Sequence, residues 1–198
     1  MSDIRMELSR QMVHLSGVVF IIMAQFIGRE LAIVYLSMIA LFFFIYSWYV
    51  RTQEKKLENL LGKMESKFRD LTLKLERKHV VNPFSGAMFF YIGCALTFFM
   101  IPSLAVASAA CAMLAVGDAL STLVGKKFGK RKIGAKTLEG SFACFAGALA
   151  AGIFFVSPAI AVAGAVAATL AELVPRIDDN LVIPIVAGLA MYGISFLA

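Results

Sequence analysis

The sequence predicts an all-α integral membrane protein, a single polytopic domain over residues 1–198 with about seven transmembrane helices of roughly 20 residues each. Apolar residues make up 60% of the chain and charged residues 16%, whereas soluble domains average about 45–50% and 25%. The apolar residues stand in long runs rather than in alternation. This pattern excludes a soluble domain, a disordered chain and an outer-membrane barrel.

Charge-free runs over residues 11–28 and 31–50 predict the first two spans. Residues 80–117 form a run of 38 residues without a charge, with Pro102 near its middle. Proline removes a backbone donor and disfavours helix at the residue before it. We therefore expect the third and fourth spans to be joined by a turn at Pro102.

The last three spans follow the same logic. Residues 140–171 are 32 uncharged residues broken at Pro158, which is short for two full spans, so one is expected to be short or tilted. Residues 180–198 supply the seventh span. A count of six or eight spans is left open.

The segment 51–79 predicts a cytoplasmic amphipathic helix. Its apolar residues recur at steps of three and four, which places them on one helix face: Leu57, Leu61, Met64, Phe68, Leu71 and Leu75. One interpretation is an interfacial helix that touches acidic headgroups. The other is a helix that packs on the protein's own core or extends the neighbouring spans.

The basic residues orient the predicted bundle. With a cytoplasmic N-terminus and seven spans, 18 of the 19 Lys and Arg residues fall on the cytoplasmic side, and only Arg29 falls outside. This distribution follows the positive-inside rule. Cys94, Cys111 and Cys144 lie inside apolar runs and are expected to be buried apolar residues rather than disulfide or zinc ligands.

Acidic residues are sparse in the predicted spans, and in this orientation five of them face the cytoplasmic side. Carboxylates at membrane depth are costly and usually functional. The set is Asp118, Glu139, Glu172, Asp178 and Asp179. The alternative is that each is a helix-end charge at the water boundary.

Glycines and lysines surround these carboxylates in the central loop. Glycine lets a backbone approach a ligand closely, lysine supplies charge for phosphate oxygens, and the helix that opens at Leu138 offers N-terminal amides to an anion. A carboxylate nearby could hold Mg²⁺ together with phosphate. The pattern indicates a nucleoside triphosphate site, although neither a P-loop nor a dinucleotide fingerprint occurs. The rival is a loop whose lysines only fix topology.

Three motifs occur in order along the chain. The first runs from Gly117-Asp118-Ala119 through Gly125-Lys126-Lys127-Phe128-Gly129 to Lys136-Thr137-Leu138-Glu139-Gly140-Ser141. The second runs from Glu172 to Pro184 and contains Asp178-Asp179-Asn180-Leu181. The third is Arg10 with His14. Together they resemble the motifs of the CTP-dependent lipid kinases, a group that includes dolichol kinase, phytol kinase and the yeast-type diacylglycerol kinase and is related to phosphatidate cytidylyltransferases. In the third motif Gln11 replaces the lysine that is usual in that family.

The resemblance implies transfer of the γ-phosphate of CTP, with Mg²⁺, to the hydroxyl of a membrane lipid alcohol: a polyprenol, dolichol or phytol type of isoprenoid, or a diacylglycerol-like lipid. The implied catalytic residues are Asp118, Glu139, Asp178, Asp179 and His14. The implied nucleotide-binding residues are Gly117, Gly125, Lys126, Lys127, Lys132, Lys136, Thr137, Gly140 and Asn180. The implied metal ligands are Asp118, Glu139, Glu172, Asp178 and Asp179. For His14 a structural hydrogen bond is an equal alternative, and for Asn180 a role in opening the last span.

Two other functions remain open at this point. A cytidylyltransferase would use the same nucleotide and metal to make a CDP-lipid, and a small transporter would also carry buried carboxylates. The expected partners are CTP, a lipid alcohol and the bilayer, with no nucleic acid. Self-association is left open. The expected location is a prokaryotic cytoplasmic membrane, crossed several times.

Overall fold

The computed structural model describes residues 2–52, 85–174 and 178–196, with side chains in the first range limited to Gln11 and residues 15–49. The described part is almost entirely helical and contains seven helices. They are α1 Ser2–Ile27, α2 Arg29–Thr52, α3 Ser85–Met100, α4 Leu104–Phe128, α5 Leu138–Ile153, α6 Pro158–Glu172 and α7 Asp179–Ile194. The predicted amphipathic segment 51–79 lies outside the described residues, apart from the two that end α2.

Helix boundaries confirm both predicted breaks. α3 ends before Pro102, and the Ser103 hydroxyl then caps α4 by accepting a hydrogen bond from the backbone N–H of Val106. Pro158 occupies the start of α6, where its missing N–H costs no helical hydrogen bond. α5 and α6 contain 16 and 15 residues, or about 22–24 Å. Both are shorter than the roughly 30 Å hydrocarbon core, whereas the sequence predicts that one of the two is short or tilted. α3 and α7, with 16 residues each, are equally short.

One element departs from the all-helical expectation. Between α4 and α5 the chain forms a small antiparallel hairpin of β1 Lys132–Ile133 and β2 Lys136–Thr137. The two-residue connection begins at Gly134, which has a φ of +59°. Such tight hairpins need a residue that tolerates positive φ, and glycine does so without steric cost. The hairpin delivers Lys136 to the start of α5.

The core is built around α4, which packs against five other helices, α1, α3, α5, α6 and α7. Its buried face is dominated by alanine, including Ala107, Ala110 and Ala115. Small residues let helix backbones approach closely. Glycine also brings α3 close to the start of α7, where a side chain at Gly93 would lie 2.2 Å from the backbone oxygen of Asn180.

The outer surface of the described helices is strongly apolar. On α2, only 22% of the most apolar stretch within Arg29–Tyr49 is buried inside the protein. Its exposed residues include Leu31, Val34, Met38, Leu41, Phe42, Phe44, Ile45 and Trp48. Soluble monomers rarely expose a continuous apolar surface of this extent. Two of the described helices, spanning Arg29–Tyr49 and Leu104–Phe128, are long and apolar enough to cross a membrane.

Candidate active site: a lysine and carboxylate cluster

The ammonium group of Lys136 lies at the centre of the cluster. Its Nζ donates to Oδ2 of Asp179 at 2.6 Å and lies 3.2 Å from Oε1 of Glu172. Asp179 begins α7 and Glu172 ends α6, so one lysine ties the hairpin to both helices. The side chains of Lys136 and Asp179 are 28% and 25% exposed, whereas that of Glu172 is completely buried.

Glu172 has further partners on α4 and α5. The Ser121 hydroxyl donates a hydrogen bond to Oε1 of Glu172, and the Ser141 hydroxyl lies 3.5 Å from Oε2. Both serines are buried. A buried carboxylate is tolerated only when it is paired and hydrogen-bonded. The two serines and Lys136 supply those partners from three different elements.

Asp118 contributes to the electrostatic field at Lys136. Burial alone would lower the pKa of Lys136, but the hydrogen bond and charge of Asp179, with the charges of Glu172 and Asp118, raise the pKa above its ordinary value. One ammonium therefore faces three carboxylates. The cluster as a whole is formally negative, so it favours a cation, and an anion can join Lys136 only together with a cation.

The position of Asp118 within its helix differs from the expectation that it ends a span. α4 continues past Asp118 to Phe128, which adds about 15 Å of helix. The continuation packs against the start of α5, where Gly125 and Gly140 meet the side chain of Thr137. Asp118 therefore lies inside a helix, and its charge acts on Lys136 and Asp179.

Glu139 and Asp178 are occupied elsewhere, so the structure does not bring all five predicted carboxylates together. Oε2 of Glu139 accepts hydrogen bonds from the backbone N–H groups of Lys130 and Arg131, at 3.1 and 3.3 Å. Asp178 caps α7, and its Oδ1 accepts from the backbone and side-chain nitrogens of Asn180 at 3.0 and 2.9 Å. Among the described residues, no three His, Cys, Asp or Glu side chains form a group that could hold a metal ion by themselves.

The glycines that were predicted to bind the nucleotide pack closely against other residues of the protein itself. Thr137 caps α5, with its hydroxyl oxygen accepting from the backbone N–H of Gly140 at 3.1 Å. A side chain at Gly125 or Gly140 would lie 3.0 or 2.9 Å from that oxygen. Gly117 faces Cys144 of α5 in the same way, at 3.3 Å. The glycines of the motif thus allow α4 and α5 to cross closely, and this crossing positions the hairpin that carries Lys136.

The four predicted phosphate-binding lysines fall into two environments. Lys126, Lys127 and Lys132 are exposed, and the Lys127 ammonium lies 5.1 Å from the centre of the Phe128 ring. Lys136 is partly buried in the cluster. His14 belongs to α1, but its side chain and that of Arg10 are outside the part of the chain that the structure describes.

Sequence reasoning missed Ser121 and assigned no role to Ser141. A signal for Ser121 exists, because it stands three residues after Asp118 and therefore on the same helix face. Ser141 lies in the quoted motif, in the first turn of α5. Neither serine can be assigned to Glu172 from spacing, since 51 and 31 residues separate the pairs.

No family model, no curated protein and no solved structure matches this chain. Lys136 can hold an anionic group, and the partly exposed Asp179 and Asp118 can accept a proton or bind a cation.

Proposed function

We propose that the protein is a CTP-dependent kinase that phosphorylates the hydroxyl group of a membrane lipid alcohol. The observation that carries the proposal is the cluster of Lys136 with Asp179, Glu172 and Asp118 inside an otherwise apolar helical bundle. Charged groups in such surroundings are costly and are retained where they have a function. The cluster joins residues of the first two of the three motifs that resemble those of CTP-dependent lipid kinases.

The apolar outer surface supports a membrane location. The exposed face of α2 carries Phe42, Phe44 and Trp48, which a lipid phase would cover. A lipid alcohol dissolves in the bilayer while CTP is dissolved in the cytoplasm. We place the cluster at the cytoplasmic headgroup level of a prokaryotic membrane, where both substrates can meet, and we assign the chain several membrane crossings.

The residues fit Mg²⁺ together with a nucleotide better than Mg²⁺ alone. Mg²⁺ is usually held by one or two carboxylates, with substrate phosphates and water completing its octahedron. Asp118 and Asp179 supply that number, and both are partly exposed. When bound, Mg²⁺ would neutralise charge on the phosphate oxygens. Glu139 and Asp178 are engaged with backbone groups and fit this role less well.

The transfer itself places modest demands on the protein. The alcohol oxygen forms a bond to the γ-phosphorus, the bond from that phosphorus to the β-phosphate oxygen breaks, and CDP leaves. The hydroxyl proton passes to whichever of the Asp118 and Asp179 carboxylates does not hold the metal. Lys136 holds the γ-phosphate oxygens, and the exposed Lys126, Lys127 and Lys132 attract the nucleotide from solution. Phosphoryl transfer depends chiefly on such positioning and charge neutralisation.

The test is an assay of the purified chain in lipid nanodiscs with γ-labelled CTP, Mg²⁺ and a panel of lipid alcohols. We expect labelled lipid phosphate and CDP, loss of both products with excess chelator, and a loss of about 10²–10⁴-fold in Asp118→Asn if this carboxylate accepts the proton. Glu30→Gln, at an exposed residue of α2, is the matched control that retains activity.

The products distinguish the proposal from its rivals. Pyrophosphate and a CDP-lipid would identify a cytidylyltransferase instead. Absence of every nucleotide-derived product across the panel, from protein that remains folded, would refute a CTP-dependent enzyme and favour the transporter.

A further inference from the structure

We infer that Glu172 is a positioning residue that fixes the ammonium group of Lys136, rather than a ligand of metal or substrate. The catalytic consequence of this inference rests on the proposed function. The positioning itself is a property of the folded chain and can be measured without any substrate.

Complete burial is the first argument. The side chain of Glu172 has no exposed area, whereas Asp179, the other carboxylate paired with Lys136, is 25% exposed. A phosphate or cation that arrives from solvent therefore meets Asp179 before it can reach Glu172. The exposed partner is the one that a ligand can displace, and the buried partner stays with the lysine.

The contacts of the Glu172 carboxylate are the second argument. Oε1 accepts from the Ser121 hydroxyl and lies 3.2 Å from Lys136 Nζ, and Oε2 faces the Ser141 hydroxyl at 3.5 Å. These partners come from α4, the hairpin and α5. They hold the carboxylate in one orientation, so that its oxygen is already aimed at Lys136 before a ligand binds.

The flexibility of the lysine side chain explains why an anchor for its ammonium group is useful. Lysine carries its charge on a compact ammonium at the end of a flexible side chain, whereas the donors of the planar arginine guanidinium are preorganised. A lysine that must hold a transferring phosphate gains from an anchor that removes this freedom in advance. Glu172, with Ser121 and Ser141, is such an anchor.

The experiment measures how fast Lys136 reacts with an amine-acylating reagent in intact protein in nanodiscs, without nucleotide. Labelling of Lys136 is read by mass spectrometry relative to the exposed Lys127 in the same molecules. We expect Glu172→Gln, which keeps the shape of the side chain but removes its charge, to increase relative labelling about tenfold, equivalent to about 1.4 kcal/mol of lost interaction. Glu30→Gln is the control and leaves the ratio unchanged.

A second variant covers the case in which Glu172→Gln does not fold. Ser121→Ala combined with Ser141→Ala keeps every charge and only releases the carboxylate, so we expect a smaller increase in the same direction. Wild-type labelling of Lys136 in whichever of these variants folds would overturn the inference. Increased labelling with no CTP-dependent activity in the wild type would confirm positioning and refute the proposed function, so the two failures are distinguishable.

The kinetic readout follows if the protein is active. Loss of positioning should lower kcat more than it changes KM for CTP, and Glu172→Asp, which keeps the charge on a shorter side chain, should recover part of the loss. Equal activity in Glu172→Gln and Glu172→Asp would contradict a role in which the negative charge of residue 172 acts on Lys136.

Discussion

Replacing Lys136 by methionine removes the one ammonium group that the structure pairs with the buried Glu172, while the apolar stem is kept. Removing one partner of a fully buried ion pair costs about 3–5 kcal/mol, because a charge is left without compensation. Exposed pairs contribute about 0.2–1 kcal/mol. The Lys136 side chain is 28% exposed, and Glu172 keeps its contacts with Ser121 and Ser141. We therefore expect Lys136→Met to lower the free energy of unfolding by about 2–3 kcal/mol.

A double-mutant cycle isolates the pair. Glu172→Gln alone should cost about 1–2 kcal/mol, because Lys136 retains Asp179 as a partner in a site that water partly reaches. If the two groups interact as the structure shows, the double variant loses their contact only once. Its loss should then be about 2–3 kcal/mol rather than the sum of the single losses, a coupling of about 1–2 kcal/mol.

The measurement is reversible unfolding in mixed detergent micelles, for the wild type, both single variants and the double variant under one set of conditions. Glu30→Gln, whose carboxylate pairs with Arg29 at the surface, should change the free energy of unfolding by less than 0.5 kcal/mol or so. Strictly additive losses in the cycle would show that Lys136 and Glu172 do not interact. That result would refute the structure of the site described above.

Three further outcomes are expected. Gly140→Ala should destabilise the protein by about 1–3 kcal/mol, because the new methyl would lie 2.9 Å from the Thr137 hydroxyl oxygen and 3.0 Å from the Ser121 carbonyl oxygen. Gly86→Ala is the control, because Gly86 has open space around it, and it should not destabilise the protein. Equal effects of the two substitutions would argue against the close crossing of α4 and α5. The pKa of Lys136 is raised, so its ion pairs should stabilise the fold below the ordinary lysine pKa, near 10.5, and be lost as pH rises through the raised value. Between neutral and alkaline pH, the difference in unfolding free energy between wild type and Lys136→Met should therefore shrink only in strongly alkaline buffer, and a difference already absent at pH 8 would contradict this. Trp48 is the single tryptophan and is 59% exposed on α2; in bilayers its fluorescence should be blue-shifted and quenched by brominated acyl chains, whereas emission typical of water would contradict a lipid-facing α2.

The positions of the helices could be predicted from the sequence because their causes are local. Pro102 and Pro158 interrupt the helix wherever the rest of the chain lies, since each lacks a backbone donor. The charge-free runs give the number of helices in the described residues, but α1 begins at Ser2 and α4 ends at Phe128, both outside their charge-free runs. Asp178 precedes a helical run and caps α7, as an aspartate in that position commonly does. The amphipathic segment 51–79, the membrane crossings and the reaction stay predictions.

The membership of the cluster was decided by the tertiary structure. The sequence supplied Lys136, Asp118, Glu172 and Asp179 as candidates, but it did not separate them from Glu139 and Asp178, whose carboxylates bind nearby backbone groups instead. That separation depends on the rotation of each helix about its axis and on how closely α4 and α5 cross at their glycines.

Ser121 and Ser141 illustrate why this could not be derived from spacing. Each contacts Glu172 across a long stretch of chain, and a serine hydroxyl has no pattern of its own that names a distant partner. Helix preferences, and the free energy of transferring an apolar segment out of water, depend on residues that are near one another in the sequence. They therefore determined which segments became helices. The contacts that hold Lys136 arise between segments, and only the packed bundle fixes them.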